Sequence, residues 1–208
     1  PLEALGCPWA YLSPGMWIKP YPSGNLTHPG MSRIDEFLEK NNARRNDVCK
    51  LDIQTKQSIY DTLIHHHPKT GLQSKFSMEF CIVKILIDGD LGLSDFSDKV
   101  VQRPDIQRML GNTNYSAFPD AESKGLGYEN YTTLITFTLK DGRTFTERSD
   151  FGKGSAHDPF SYDETAEKAQ RCSTYRDWPQ EKFESLVEGW KQIDTVSDVN
   201  EITQNLFM

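Results

Sequence analysis

The clearest pattern in the chain is an apolar segment that follows a polar, basic stretch and stops at a glycine. Val83 and the three residues 85–87 leave almost no polar face over the segment 76–88, which predicts a helix that is buried on nearly every side. Gly89 is expected to end this helix, because glycine readily adopts the left-handed conformation found at helix C-termini. The pattern therefore places the core of the domain around this helix.

The start of the predicted helix carries a second signal. Lys75 and Ser77 stand at its beginning, where exposed backbone amides and a lysine would suit an anionic ligand. The alternative is a core helix whose serine serves only as the N-cap. The pattern alone leaves both interpretations open.

The remaining periodicity indicates a mixture of strands and helices. Cys49, Leu51 and Ile53 alternate with polar residues, as in a half-buried strand. The segment 133–146 is typical of two strands joined at Asp141-Gly142, which predicts a two-residue hairpin turn because both residues tolerate positive φ. A helix is predicted over residues 32–40, with an ion pair between Glu36 and Lys40, and another over residues 104–111. Three more helices are predicted in the chain that follows Ser161. The segment 58–63 fits either a strand or a helix.

The order of these elements favours an α+β fold, because strands and helices mix without strict alternation. We predict a two-layer sandwich in which a mainly antiparallel sheet has helices packed on one face. Residues 1–208 are expected to form a single domain. Its first part, residues 1–30, is predicted to be rich in loops because proline, glycine and aromatic residues are frequent there.

Charge and hydropathy exclude several classes of partner. The 208 residues carry a formal net charge of -7, which argues against nucleic acid because phosphate backbones bind basic surfaces. No apolar run approaches the roughly 20 residues that span a bilayer, so no membrane partner is predicted. No targeting signal is recognisable at the start, and we expect a cytoplasmic location, or the mitochondrial matrix in a eukaryote.

Cysteine and histidine spacing indicates a reducing compartment without a metal centre. Cys7, Cys49, Cys81 and Cys172 are too far apart for a CxxC motif, and the second and third lie in apolar patterns typical of core residues. The three adjacent histidines 65–67 cannot all point one way and have no acidic residue at ligand spacing. They predict a polar loop rather than a zinc site.

A lysine and a histidine stand nine residues apart in the segment Lys19-Pro20-Tyr21-Pro22 to His28. The prolines stiffen this connection, and rigid loops place polar groups accurately. Lys19 is suited to hold a carboxylate, and His28 to move a proton near neutral pH. A loop without a catalytic role is the alternative.

The loop 151–159 is rich in glycine and carries Lys153 and His157. It lacks the GxxxxGK[ST] spacing of a phosphate-binding loop, which excludes nucleotide binding. The two side chains are candidate anion contacts, and a purely turn-forming role is the alternative.

Three segments together resemble the MmgE/PrpD family. Lys19-Pro20-Tyr21-Pro22 with His28 resembles its "KPYP…H" segment, and 75–89 resembles its "FSxxY…G" helix. The segment 153–161 resembles its "KGSxxNPLS" loop before a helix. The three matches occur in the family's order and cover most of the chain.

The resemblance implies a cofactor-independent lyase domain without a metal. The family includes 2-methylcitrate dehydratase, cis-aconitate decarboxylase and iminodisuccinate epimerase. Its members have an all-helical domain beside a smaller α+β domain, with the active site between the two. This chain resembles only the smaller, C-terminal-side domain. The implied substrate is a small polycarboxylate, the implied reaction is dehydration of the 2-methylcitrate type, and the implied partners are the helical domain and a second copy in a homodimer.

The resemblance also implies roles for individual residues. Lys19 would stabilise a carboxylate or oxyanion, and His28 would shape the site or transfer a proton. Lys75, Ser77 and Lys153 would hold substrate oxygens.

Two departures from the family pattern bear on the activity. Phe80 stands where the family often has tyrosine, and Ser23-Gly24 where it often has cysteine or histidine. Both weaken the assignment of any particular activity found in the family, and of decarboxylation especially. The alternative function is therefore a non-catalytic domain of the same family that serves in dimerisation or partner binding and presents an exposed apolar patch.

Overall fold

The computed structural model describes residues 6, 9, 11–119 and 131–207. They belong to two compact units, Pro1–Pro159 and Phe160–Met208. Cys7 lies outside the described residues. Within the described ranges, none of the helices has the length and the apolar character needed to cross a membrane.

The first unit contains a sheet whose described strands number four. The strands are β1 (Val48–Lys56), β2 (Thr113–Phe118), β3 (Thr133–Leu139) and β4 (Thr144–Ser149). The helices are α1 (His28–Met31), α2 (Ile34–Lys40), α3 (Gln57–Thr62), α4 (Gly71–Ser74), α5 (Met78–Asp88), α6 (Asp98–Val101) and α7 (Pro104–Gly111). Shorter turns of helix occur at Tyr11–Gly15, Asn25–Thr27, Arg45–Asp47 and Leu93–Asp95.

The sheet order is β2-β1-β3-β4, and two of its three strand pairs are antiparallel. The β1–β2 pair is parallel, so the chain between them crosses over through the helical segment 57–111. The predicted α+β fold with a mainly antiparallel sheet is therefore confirmed. The ambiguous segment 58–63 proves helical, as part of α3.

One face of the sheet is buried and the other is more exposed, as strand alternation requires. On β3, Ile135 and Phe137 are fully buried while Thr136 between them is half-buried. On β1, Leu51 and Ile53 point into the same core. The expected core position of Cys49 is wrong, because a register irregularity between residues 48 and 50 turns its side chain to a half-buried site.

Helix α5 supplies the centre of the core, as its sequence predicts. It begins at the N-cap Ser77 and ends at Gly89, which has φ 80°. The side chains from Met78 to Leu86 are all buried. Even Lys84 is only 3% exposed, and its ammonium pairs with Asp88 at 2.8 Å and with Asp95 at 3.0 Å.

Two local predictions are wrong. The β3–β4 connection is a three-residue loop in which Gly142 has a positive φ and Asp141 does not. Such loops place one residue in the left-handed region after an ordinary turn. The predicted Glu36–Lys40 pair also does not form, because Lys40 bonds to Glu147 of β4 at 2.8 Å. That partner is far away in sequence, so helical spacing could not indicate it.

The second unit consists, in its described residues, of the helices Tyr162–Tyr175, Gln180–Lys191 and Asn200–Phe207. The predicted capping box is confirmed, since Ser161 and Glu164 exchange hydrogen bonds of 2.7 and 3.1 Å. Phe183 and Ile202 are buried within this unit.

Candidate functional site

The three family-like segments meet at one end of the sheet in the first unit. The amide of Ile18 donates to the Gly154 carbonyl at 2.8 Å, which joins the lysine–histidine segment to the glycine-rich loop. The amide of Gly24 donates to the Lys75 carbonyl at 2.9 Å, which joins the same segment to the region before α5. The fold therefore brings together segments that are more than a hundred residues apart in the chain.

His28 fixes the position of the glycine-rich loop. A Cβ built on Gly152 would lie only 2.9 Å from the Cβ of His28, so the loop approaches the histidine more closely than any side chain allows. Ser32 adds a second tie, since its hydroxyl donates to the His28 carbonyl at 2.7 Å and accepts from the Lys153 amide at 3.2 Å. The loop and the start of α1 therefore form one closely packed structure.

The His28 imidazole is buried and held among small hydroxyl groups. Its Nε2 lies 3.3 Å from the Ser23 hydroxyl, which lies 3.0 Å from the Thr27 hydroxyl. The ring is 1% exposed and packs edge-on against Tyr21. Burial, with the nearby Lys19 charge, lowers the pKa of His28 from 6.5 to about 4. The imidazole is therefore neutral at neutral pH.

Lys19 lies beside this histidine at the surface. Its ammonium donates to the Ser23 carbonyl at 3.3 Å, so Ser23 contacts both Lys19 and His28 through different atoms. The lysine is exposed, and among the described residues no carboxylate pairs with it. An uncompensated ammonium next to a neutral imidazole is an arrangement that suits an anionic ligand.

Cys81, on α5, belongs to the buried side of the same cluster. Its thiol donates weakly to the Ser74 carbonyl at 3.5 Å and also contacts the hydroxyls of Thr27 and Ser23. Complete burial raises the pKa of this thiol to about 12, so the thiolate form is strongly disfavoured. Its predicted role as a core residue is confirmed.

The start of α5 is buried rather than exposed, which corrects one expectation. Ser77 caps the helix by accepting from the Phe80 amide at 3.3 Å, and its hydroxyl donates to Glu79 at 3.2 Å. Glu79, itself 2% exposed, places a carboxylate of the protein in the first turn. The Lys75 ammonium lies 5.5 Å from the centre of the Phe96 ring. The substrate-binding roles of Ser77 and Lys75 stay predictions.

Glu79 has a second partner that the sequence did not reveal. Its other oxygen lies 2.9 Å from Nδ1 of His66, which stacks on Tyr60 at 4.7 Å between ring centres. His66, the central histidine of the three, is therefore held by a buried carboxylate. Residues 65–67 lie in a loop, as predicted. Among the described residues, no group of three histidine, cysteine or acidic side chains is arranged to hold a metal ion.

Lys153 lies within the glycine-rich loop and pairs with an acid of the same loop. Its ammonium is 3.3 Å from Asp158, whose other oxygen is 2.8 Å from the Arg33 guanidinium. His157 stacks on Phe151 with 3.8 Å between ring centres. The loop is thus internally braced, and the substrate-binding role of Lys153 stays a prediction.

Sequence reasoning missed Gly152, Ser23 and Thr27 as parts of the site. The hydroxyls were detectable in principle, because both precede His28 by five residues or fewer in the motif segment. The role of Gly152 depends on a contact across more than a hundred residues, for which a single sequence holds no signal.

Comparison with known proteins identifies the family of the chain. The family model for the MmgE/PrpD C-terminal domain matches residues 21–192, which include His28 and Lys153 but not Lys19. The chain belongs to the MmgE/PrpD family. Cis-aconitate decarboxylase of Mus musculus is 26% identical over 139 residues, and that of Homo sapiens is 26% identical over 140 residues.

The match covers a large share of this chain but a small share of each relative. It includes 67% of this chain but 28% of the mouse protein, and 65% of this chain but 27% of the human one. The chain therefore spans less than a third of the length of these MmgE/PrpD relatives.

Proposed function

We propose that this chain is the smaller domain of an MmgE/PrpD lyase that acts on small polycarboxylates and is completed by an all-helical domain. The reaction we propose is a dehydration of the 2-methylcitrate type. A proton leaves the carbon beside a carboxylate, the neighbouring carbon loses its hydroxyl group as water, and a carbon–carbon double bond forms. Such a reaction develops negative charge on the carboxylate, which a positioned cation stabilises.

The Lys19 ammonium is the observation that carries this proposal. It is exposed, is held by the Ser23 carbonyl, and has no carboxylate partner among the described residues. A substrate carboxylate would supply the missing counter-charge. The rigid Pro20 and Pro22 on one side and the buried His28 cluster on the other hold the lysine segment in place.

The neutral His28 shapes the site rather than donating a proton. Its depressed pKa and its burial leave it unprotonated at neutral pH. Its ring anchors Ser23, which positions Lys19, and its backbone anchors the loop at Gly152. In this proposal the base and the acid come from the helical domain.

Two positions favour dehydration over decarboxylation. Phe80 is completely buried and offers no hydroxyl at the position where the family pattern resembled by this chain often has tyrosine, and Ser23-Gly24 stands where that pattern often has cysteine or histidine.

Product analysis tests the proposed reaction. A polypeptide that joins this chain to a family helical domain would be incubated with 2-methylcitrate, citrate and cis-aconitate, and products would be separated by mass. We expect loss of water from a hydroxy acid and no release of carbon dioxide from cis-aconitate. Release of carbon dioxide would contradict the dehydratase assignment, and absence of any turnover would favour a non-catalytic role.

A non-catalytic, partner-binding role is supported by one observation. Large apolar side chains near the N-terminus are strongly exposed, namely Trp9, Tyr11, Leu12, Met16 and Ile18, with exposures from 41% to 80%. An apolar surface of this kind fits docking of another polypeptide. Since an active enzyme would also need this surface for its helical domain, turnover is the observation that separates the two functions.

A further inference from the structure

A second candidate binding site lies at the other end of the sheet. A cavity of about 400 Å³ opens between the start of β1, the end of α5 and helix α7, and it includes Lys140 from the β3–β4 loop. In the pairing of β1 with β3, Val48 lies opposite Leu139 at this end of the sheet, and Thr55 lies opposite Thr133 at the other end. Helix α1 packs beside Thr133. Seven paired positions at about 3.3 Å each separate the cavity from the His28 end by roughly 20 Å.

The charges around this cavity are unbalanced. Three cations line it, and one of them, Arg45, is already bonded to Asp35 and to the Ile85 carbonyl. The other two, Arg108 and Lys140, are exposed and have no ion-pair partner among the described residues.

The lining contains one acid, and it is already paired. Asp105 is bonded to Arg103 at 2.6 Å, which lowers the pKa of its carboxyl group. Arg103 also pairs with Asp88 at 2.6 Å, so it offsets the negative charge of Asp105 only in part. The cavity mouth keeps two positive charges with which no carboxylate of residues 11–119 and 131–207 pairs.

The remaining lining is apolar or weakly polar. Val48, Leu86 and Met109 contribute buried hydrocarbon surface, and the half-buried Cys49 lies beside them. A volume of this size lies within the range of small-molecule sites, which usually combine an apolar lining with a few placed polar groups.

We propose that this cavity binds a small organic anion, a carboxylate or phosphate ester whose hydrocarbon part contacts the apolar lining and whose charge pairs with Arg108 and Lys140. The proposal is independent of the lyase function, because the cavity shares no residue with the Lys19 and His28 cluster. Binding there would leave Lys19 accessible.

Cys49 provides a local reporter for the test. The 208-residue chain would be treated with iodoacetamide, a neutral reagent, and alkylation of the peptide that contains Cys49 would be followed by mass spectrometry. The probes are glutarate, its uncharged analogue glutaramide, and inorganic phosphate. Glutarate at about ten times its Kd should slow alkylation of Cys49 about tenfold, because only the unbound fraction reacts.

Matched variants assign the effect to the two cations. Arg108→Gln with Lys140→Gln should abolish protection by glutarate. Lys99→Gln with Arg176→Gln changes the net charge equally at exposed positions that do not line the cavity and should retain protection by glutarate. Lys19→Met should also retain protection, which separates this site from the proposed active site. Thermal unfolding of each variant confirms that it is folded.

Three results would overturn the proposal. One is equal protection by glutaramide, which would remove the role of charge. Another is full protection in the Arg108 and Lys140 double variant. The third is protection by phosphate but not by glutarate, which would show that the hydrocarbon surface makes no contribution.

Discussion

Gly152 and His28 touch at a distance that only glycine permits. A Cβ on Gly152 would lie 2.9 Å from the His28 Cβ and 3.0 Å from its carbonyl carbon. Neither neighbour is the end of a flexible side chain, so the contact cannot be relieved by a rotamer change. The close approach holds the glycine-rich loop against the segment that carries Lys19.

Replacing Gly152 by alanine should therefore destabilise the first unit. We expect the free energy of unfolding to fall by about 1–3 kcal/mol, the usual cost of forcing a methyl group into a packed site. Urea denaturation measures the change. Gly111→Ala is the matched control, because a Cβ there meets nothing within 4 Å, and alanine favours the helix by up to about 1 kcal/mol. An equal decrease in the free energy of unfolding of both variants would contradict the close contact between Gly152 and His28.

The buried neutral His28 should make stability depend on pH. Its pKa falls from 6.5 to about 4 on folding, so between these values the unfolded state binds the proton and the folded state does not. The contribution of His28 to the free energy of unfolding is therefore fully present above pH 6.5, and it is lost as the pH falls to about 4. Over that window the free energy of unfolding should decrease by about 3 kcal/mol because of this group.

Denaturation at several pH values checks this dependence. His28→Gln cannot titrate, so it should flatten the decline between pH 6.5 and 4.5. His65→Gln, at a half-buried position, should keep the wild-type decline. A His28→Gln profile parallel to that of the wild type would show that His28 is not the group responsible.

Removing the buried cation of α5 should leave the Asp95 carboxylate without its ion-pair partner, whereas Asp88 keeps the Arg103 guanidinium at 2.6 Å. Lys84→Met is expected to lower the free energy of unfolding by about 1–3 kcal/mol, less than for a fully buried pair because Asp88 and Asp95 are 27% and 21% exposed. Lys99→Met is the exposed control and should change stability by less than about 0.5 kcal/mol. A Lys84→Met protein as stable as the control would show that the ion pairs make no net contribution.

The pairing of His66 with Glu79 should appear as an energetic coupling. Among the described residues, His66→Ala leaves the buried Glu79 carboxylate with only the Ser77 hydroxyl, and the free energy of unfolding is expected to fall by about 1–3 kcal/mol. Glu79→Gln should reduce the further cost of His66→Ala, because an amide is less costly to leave partly unpaired. A double-mutant cycle measures this difference, and additive effects would contradict the pairing.

The sequence predicted those parts of the fold that depend on local pattern. The apolar residues Val83 and 85–87 identified the buried helix, and Gly89 identified its end. Strand alternation predicted β1 and β3 and the face that each buries. It failed at Cys49, because a one-residue irregularity reverses the inward and outward order and leaves no mark in the pattern.

The candidate site was predictable only in part. The motif segments named Lys19 and His28, but the burial of the histidine and its contact with Gly152 come from tertiary packing. The same is true of Glu79, whose partner His66 lies thirteen residues away across a loop. Side chains that depend on long-range neighbours, such as Lys40 with Glu147, cannot be paired from spacing alone.

The central claim is that the Lys19 ammonium binds and stabilises a substrate carboxylate. The most direct measurement is kcat/KM for 2-methylcitrate in the polypeptide that joins this chain to a helical domain, compared between wild type, Lys19→Met and the control Lys99→Met. Loss of a stabilising cation should lower kcat/KM about 100-fold or more in Lys19→Met and leave the control unchanged. A Lys19→Met enzyme with wild-type kcat/KM would contradict the account.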